Sequence, residues 1–145
     1  PDVSFHGVKA WYPEFENFRR QLGVLYCGEY GVKPDGTADD FFYVAYNLHW
    51  EPHEFALPHL PKDRKWQVAV NTDDGAVNGF YPEGEEKPVK DQKRFMVPPR
   101  SIVVLIGKKT PETAEKREKA GKASAPEKMP EVKKTPASRT ESVQG

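Results

Sequence analysis

Two histidines four residues apart, with a glutamate between them, make His49-Trp-Glu-Pro-His53 the stretch whose residue types most suggest chemistry. A His-x-x-x-His pair binds zinc when a helix sets positions i and i+4 on one face. Pro52 lies inside this pair, removes a helical donor and keeps Glu51 out of the α region. No cysteine and no second carboxylate pattern completes a coordination set. The stretch therefore reads as a polar corner between two strands, and no metal ligand is assigned to it.

The other reactive residue types fare no better. Cys27 ends the apolar run LGVLYC, with no histidine or basic neighbour to lower a thiol pKa, and reads as a small core residue. Ser4 and Ser101 lie in no G-x-S-x-G elbow, and neither a P-loop nor a dinucleotide fingerprint occurs, so no catalytic residue and no cofactor is assigned. Asp73-Asp74 and Glu83-Gly-Glu-Glu86 are carboxylate clusters of the kind that serve glycoside chemistry. Both sit in turn-rich stretches and read as solvated loop charge. Trp11, Tyr12, Phe80 and Tyr81 stand in loop contexts rather than on alternating faces. Rings placed this way stack on sugars, pack against a neighbouring domain or pack under their own loops, and these four are the candidate contact residues.

The elements that position these residues repeat with period two. Phe42, Val44, Tyr46, Leu48 and Trp50 are large and apolar at every even position. The odd positions Phe41, Tyr43, Ala45, Asn47 and His49 are mixed, so the even side is expected to be the buried one. Leu22–Val24–Tyr26, Phe55–Leu57 and Trp66–Val68–Val70 follow the same rule. The run from Ile102 to Ile106 is apolar on both sides, as a strand in mid-core requires. Turn chemistry separates these runs, at Lys33-Pro-Asp-Gly36, Leu60-Pro-Lys-Asp63, Asp73-Asp-Gly75 and Pro98-Pro99. A short helix is expected over Glu14–Gln21. The pattern predicts an all-β fold: an antiparallel β-sandwich of about 6–8 strands.

Three segments follow: a connector over 1–17, the sandwich over 18–107, and a tail over 108–145. The tail has no aromatics and almost no large aliphatics, so it cannot bury enough apolar area to offset the entropy of ordering, and disorder is expected. Residues 1–107 carry 12 Lys+Arg against 16 Asp+Glu, and the remainder carries 10 against 6. Neither part has the positive charge that a phosphate backbone demands, which argues against nucleic acid. No apolar run approaches the ~20 residues of a membrane helix. One cysteine allows no internal disulfide, which fits a reducing compartment. The start at Pro1, with no signal pattern, reads as an excised segment of a longer chain.

Several stretches in order are more specific. Asp2, Ser4, Phe5, His6 and Gly7 form an Asp-x-Ser-aromatic-His-Gly segment. Asp40-Phe-Phe-Tyr-Val-Ala-Tyr-Asn47, Phe55-Ala-Leu-Pro58, Trp66 with Asn71-Thr-Asp73, and Pro99-Arg-Ser-Ile-Val-Val-Leu105 follow it. The set resembles the C-terminal end of glycogen-debranching enzymes of the isoamylase and pullulanase type, in the α-amylase superfamily of glycoside hydrolases. It covers residues 1–107 and none of the tail. Phe5 stands where the family commonly has Trp, and Asn71-Thr72 where Asp-Thr is usual.

The resemblance implies a parent enzyme that hydrolyses α-1,6 branch linkages in glycogen or starch, with its catalytic carboxylates in an upstream barrel. This chain would be its non-catalytic C-terminal β-sandwich, docked on that barrel in the cytoplasm. Its expected partners are the barrel and, through the parent enzyme, α-glucan. The mixed odd face of the strand from Phe41 to Trp50 and the aromatics near Trp11 are the expected docking surface. An alternative is a glucan-binding module acting through Trp11, Tyr12, Phe80 or Tyr81. A protein-interaction module tethered by the Lys/Pro tail has no recognition motif to support it.

Overall fold

Eight strands form two antiparallel sheets in the computed structural model, which describes residues 2–16 and 18–110. They are β1 (Val3–His6), β2 (Gln21–Tyr26), β3 (Phe41–Asn47), β4 (His53–Ala56), β5 (Arg64–Asn71), β6 (Lys87–Pro88), β7 (Arg94–Val97) and β8 (Ser101–Lys109). The large sheet has the order β1-β2-β3-β8-β5-β6, and β4 pairs with β7 in a two-stranded second layer. The all-β sandwich expected from the period-two pattern is the observed fold. Val3–His6, read from the sequence as part of a connector, is one of the two edge strands of the large sheet, and β8 continues to Lys109. The tail beyond residue 110, expected to be disordered, lies outside the described residues.

The core lies between the two layers. Phe41, Tyr43 and Ala45 on β3, Val103 and Leu105 on β8, and Trp66 and Val68 on β5 face Phe55, Leu57 and Val97 of the second layer. The registers Tyr43↔Leu105 and Ala45↔Val103 put the odd positions of β3 and β8 on this one face. Gly23 on β2 serves the same packing: a Cβ there would collide with the Tyr43 hydroxyl and ring, so only glycine lets the tyrosine lie across β2.

Two expectations require correction. The buried face of β3 is the odd one: Phe41, Tyr43, Ala45 and Asn47 are all at most 7% exposed, whereas Phe42, Val44 and Tyr46 are half-buried. A central strand is apolar on both sides, so its own alternation does not say which side the second layer covers. The odd face is therefore core and cannot be the docking surface. Strand pairing also stops at Asn47, leaving Leu48 and Trp50 exposed in the corner.

The second correction concerns the helix expected over Glu14–Gln21. Among the described residues of that stretch there is only one turn, with the Arg19 amide donating to the Glu16 carbonyl at 2.8 Å. The stretch is held instead by an ion pair within it and by one main-chain bond to the residue after β3. Arg19 pairs with Glu14 at 3.0 Å, and the Arg20 carbonyl accepts from the Leu48 amide at 2.8 Å.

Candidate functional site

The residues that carry the resemblance tie the two layers and their corners together. His6 is fully buried at the end of β1. Its Nδ1 accepts from the Trp11 amide at 2.7 Å, so the proton sits on Nε2, which donates to Ser4 Oγ at 2.9 Å. Burial holds the His6 pKa below its ordinary value. The turn that His6 closes leaves no room at Gly7, where a Cβ would lie 2.7 Å from the Tyr12 carbonyl. Trp11 occupies this turn with a positive φ of 68° and sets its ring 4.8 Å from that of His6. The histidine thus has a structural duty and no access to a substrate.

The remaining stretches behave alike. Trp66 Nε1 donates to the Pro58 carbonyl at 3.0 Å, joining two of them directly. Gln92 exchanges two hydrogen bonds with the Trp66 main chain, at 2.6 and 3.1 Å. Thr72 bonds Ile102 twice, by its hydroxyl at 2.9 Å and its amide at 3.1 Å. Ser101 Oγ donates to the Pro98 carbonyl at 2.7 Å. Arg64, buried at the start of β5, donates to Asp40 and to the Gly107 carbonyl, both at 2.8 Å. Sequence reading passes over Gln92 and Arg64 because their partners lie tens of residues away. A polar residue in an apolar strand, as Arg64 is, is the one signal that marks such a tie.

No nucleophile, base and oxyanion set assembles among the described residues. Tyr81 donates from its hydroxyl to Asp74 at 2.6 Å, and this bond lowers the Asp74 pKa. Burial pushes the Glu86 carboxyl up, but its hydrogen bond with Lys108 and further contacts bring it below its usual value. Both carboxylates are therefore held as anions by structural partners. Tyr43 is buried in the core with a hydroxyl that finds no partner, and burial raises its pKa strongly.

The four candidate contact residues do not form one surface. Trp11 and Tyr12 follow β1 and are more than half exposed. Trp11 borders a hollow lined by Tyr30, Phe41 and Leu60. Phe80 and Tyr81 follow β5; Phe80 is exposed, while Tyr81 packs on the core and borders a different hollow, of about 340 Å³, with Lys87, Arg94 and Phe95. None of the ring contacts among the described residues links one pair to the other.

A larger apolar surface lies on the outer side of the six-stranded sheet. The registers Phe5↔Val24, Val24↔Val44 and Val44↔Val104 run one row across four strands. Leu22↔Tyr46↔Ile102 and Tyr26↔Phe42↔Ile106 form the rows on either side. Phe5 and Tyr26 are 49% and 45% exposed, Leu22, Phe42, Val44, Tyr46, Ile102 and Val104 are half-buried, and Val24 and Ile106 are buried among them. An antiparallel sheet with a solvent-facing side normally alternates apolar-in with polar-out, and this one does not. A partly open apolar patch of this kind is a candidate contact surface.

At the β3–β4 corner, His49, Glu51 and His53 come together despite Pro52, because a turn replaces the helix that the spacing alone would require. Searches for a matching protein-family model and for a matching curated protein both find none.

Proposed function

We propose that this chain is the non-catalytic C-terminal sandwich of a glucan-debranching hydrolase acting on α-1,6 linkages, and that it packs on the catalytic barrel of the same polypeptide. The ordered stretches from Asp2 to Leu105 support the family, and their role as structural ties fits a module without chemistry of its own. The observation that carries the docking role is the apolar outer face of the large sheet, centred on Val44 and Val104. Covering about 400 Å² of it would contribute on the order of 10 kcal/mol before ordering costs.

The test is hydrolysis of amylopectin by the longer polypeptide that contains this chain. Release of linear chains from α-1,6 branches is expected from it, with no product from the 145-residue chain alone. A longer polypeptide without α-1,6 hydrolase activity would refute the assignment.

The exposure of Trp11, Tyr12 and Phe80 favours a second reading, a glucan-binding module. Its test is co-sedimentation of the isolated chain with insoluble starch. Retention lost on Trp11→Ala or Phe80→Ala supports it, and no retention excludes useful affinity.

A further inference from the structure

We propose that His49, Glu51 and His53 form a binding site for a divalent cation of the zinc type. One donor atom from each of the three side chains lies within 4.8 Å of the other two. His49 Nδ1 is 3.9 Å from Glu51 Oε2, and the two imidazole rings stand 4.8 Å apart at 79°. Four-coordinate zinc holds nitrogen and oxygen donors at about 2.0–2.1 Å, which sets the donors roughly 3.4 Å from one another. The set must therefore close by about 1 Å or a little more at its widest, a movement within reach of side-chain rotations. Glu51, whose side chain is 66% exposed, is free to swing in, and closure between the two imidazoles falls to rotation of their own rings.

The backbone that carries the three donors is already fixed. Asn47 Oδ1 accepts from the His49 amide at 3.1 Å, and Asn47 Nδ2 donates to the Glu51 carbonyl at 2.8 Å. The Arg100 amide donates to the His49 carbonyl at 2.9 Å, and Trp50 stacks on the His49 ring at 4.0 Å. In this frame His49 Nδ1 accepts from the Glu51 amide at 3.1 Å, so its lone pair lies on the Glu51 side. Coordination there exchanges one long hydrogen bond for a bond to the cation.

A separate observation points to a ligand. His53 Nε2 is buried and has no hydrogen-bond partner. A buried polar nitrogen left unpaired is unfavourable, and coordination through it would supply the missing partner. Two imidazoles and one carboxylate suit Zn²⁺, Cu²⁺ or Ni²⁺, whereas Mg²⁺ and Ca²⁺ prefer oxygen donors throughout. Water takes the remaining position on the exposed side. The cation would fasten the β3–β4 corner, a structural duty independent of any docking on a barrel.

The experiment is calorimetric titration of Zn²⁺ into the 145-residue chain after removal of metal with a chelator, with Co²⁺ as a spectroscopic probe. One Zn²⁺ per chain is expected, together with the visible absorption of four-coordinate Co²⁺ and no heat from Mg²⁺. Glu51→Gln should weaken Zn²⁺ binding by about tenfold and His53→Gln by about a hundredfold or more. His59→Gln, at an exposed histidine elsewhere, should leave it unchanged. Glu51 is exposed, so its variant reports on the site even if His53→Gln disturbs the corner. Absence of saturable binding, several equivalent ions per chain, or unchanged affinity in Glu51→Gln would overturn the assignment.

Discussion

The side-chain amide of Asn47 donates to the Pro98 carbonyl at 3.0 Å, which ties the end of β3 to the turn that leads into β8. The same nitrogen reaches the Glu51 carbonyl at 2.8 Å and the Val97 carbonyl at 3.2 Å, while Oδ1 receives the His49 amide. One buried residue therefore closes two corners. Asn47→Ala strands several of these groups, and a loss of about 3 kcal/mol is expected, read as a lower urea midpoint at unchanged slope. A loss under about 1 kcal/mol would mean that the corners hold themselves.

Arg64 makes a second tie of this type. Its side chain is 4% exposed, it pairs with Asp40 at 2.8 Å, and its guanidinium lies 5.2 Å over the Phe41 ring. Removing one partner of a buried pair leaves the other uncompensated, so Arg64→Ala should cost about 3–5 kcal/mol. Asp40 retains Lys33 at 2.6 Å, which places the expected loss toward the lower end. Arg64→Met, which keeps apolar bulk against Phe41, should cost less than Arg64→Ala. Equal losses would show that packing contributes nothing.

Stability should depend on pH through His6. Burial lowers its folded pKa below the ordinary 6.5. As pH falls below that value, the unfolded chain takes up a proton that folded His6 refuses, so stability drops until the folded pKa is reached. Denaturation between pH 7 and pH 5 should show this decline, and His6→Gln should remove its share of the slope. An identical slope in both proteins would contradict the buried neutral imidazole.

Tyr43→Phe should be tolerated. The hydroxyl beside Gly23 is buried without a partner, so deleting it removes an unsatisfied group and is expected to leave stability unchanged or raise it by up to about 1 kcal/mol. Thermal unfolding measures this. A clear fall in melting temperature would reveal a hydrogen bond that the hydroxyl makes.

The strands were legible where alternation is strong or an apolar run is short and unbroken. Leu22–Tyr26 and Trp66–Val70 fall in strands because period two is a local property of the backbone, and the continuous run Ile102–Ile106 is a strand buried in mid-sheet. Facing is not local. Phe42, Val44 and Tyr46 look more like core than Tyr43, Ala45 and Asn47, yet the small β4–β7 layer covers the second set. The mixed character of the odd positions has its own cause: Asn47 is polar because two corners converge on it. The histidine pair shows the converse limit. Pro52 correctly excludes a helix, but a turn brings His49 and His53 within reach of each other all the same.

The most direct test of the account is the solvent access of the outer sheet face. Hydroxyl-radical labelling of Phe42 and Tyr46, compared between the isolated 145-residue chain and the longer debranching polypeptide proposed to contain it, reads that face. Strong labelling of the isolated chain and clear protection in the longer polypeptide are expected. Equal labelling in the two would contradict the proposed docking of this face on a catalytic barrel.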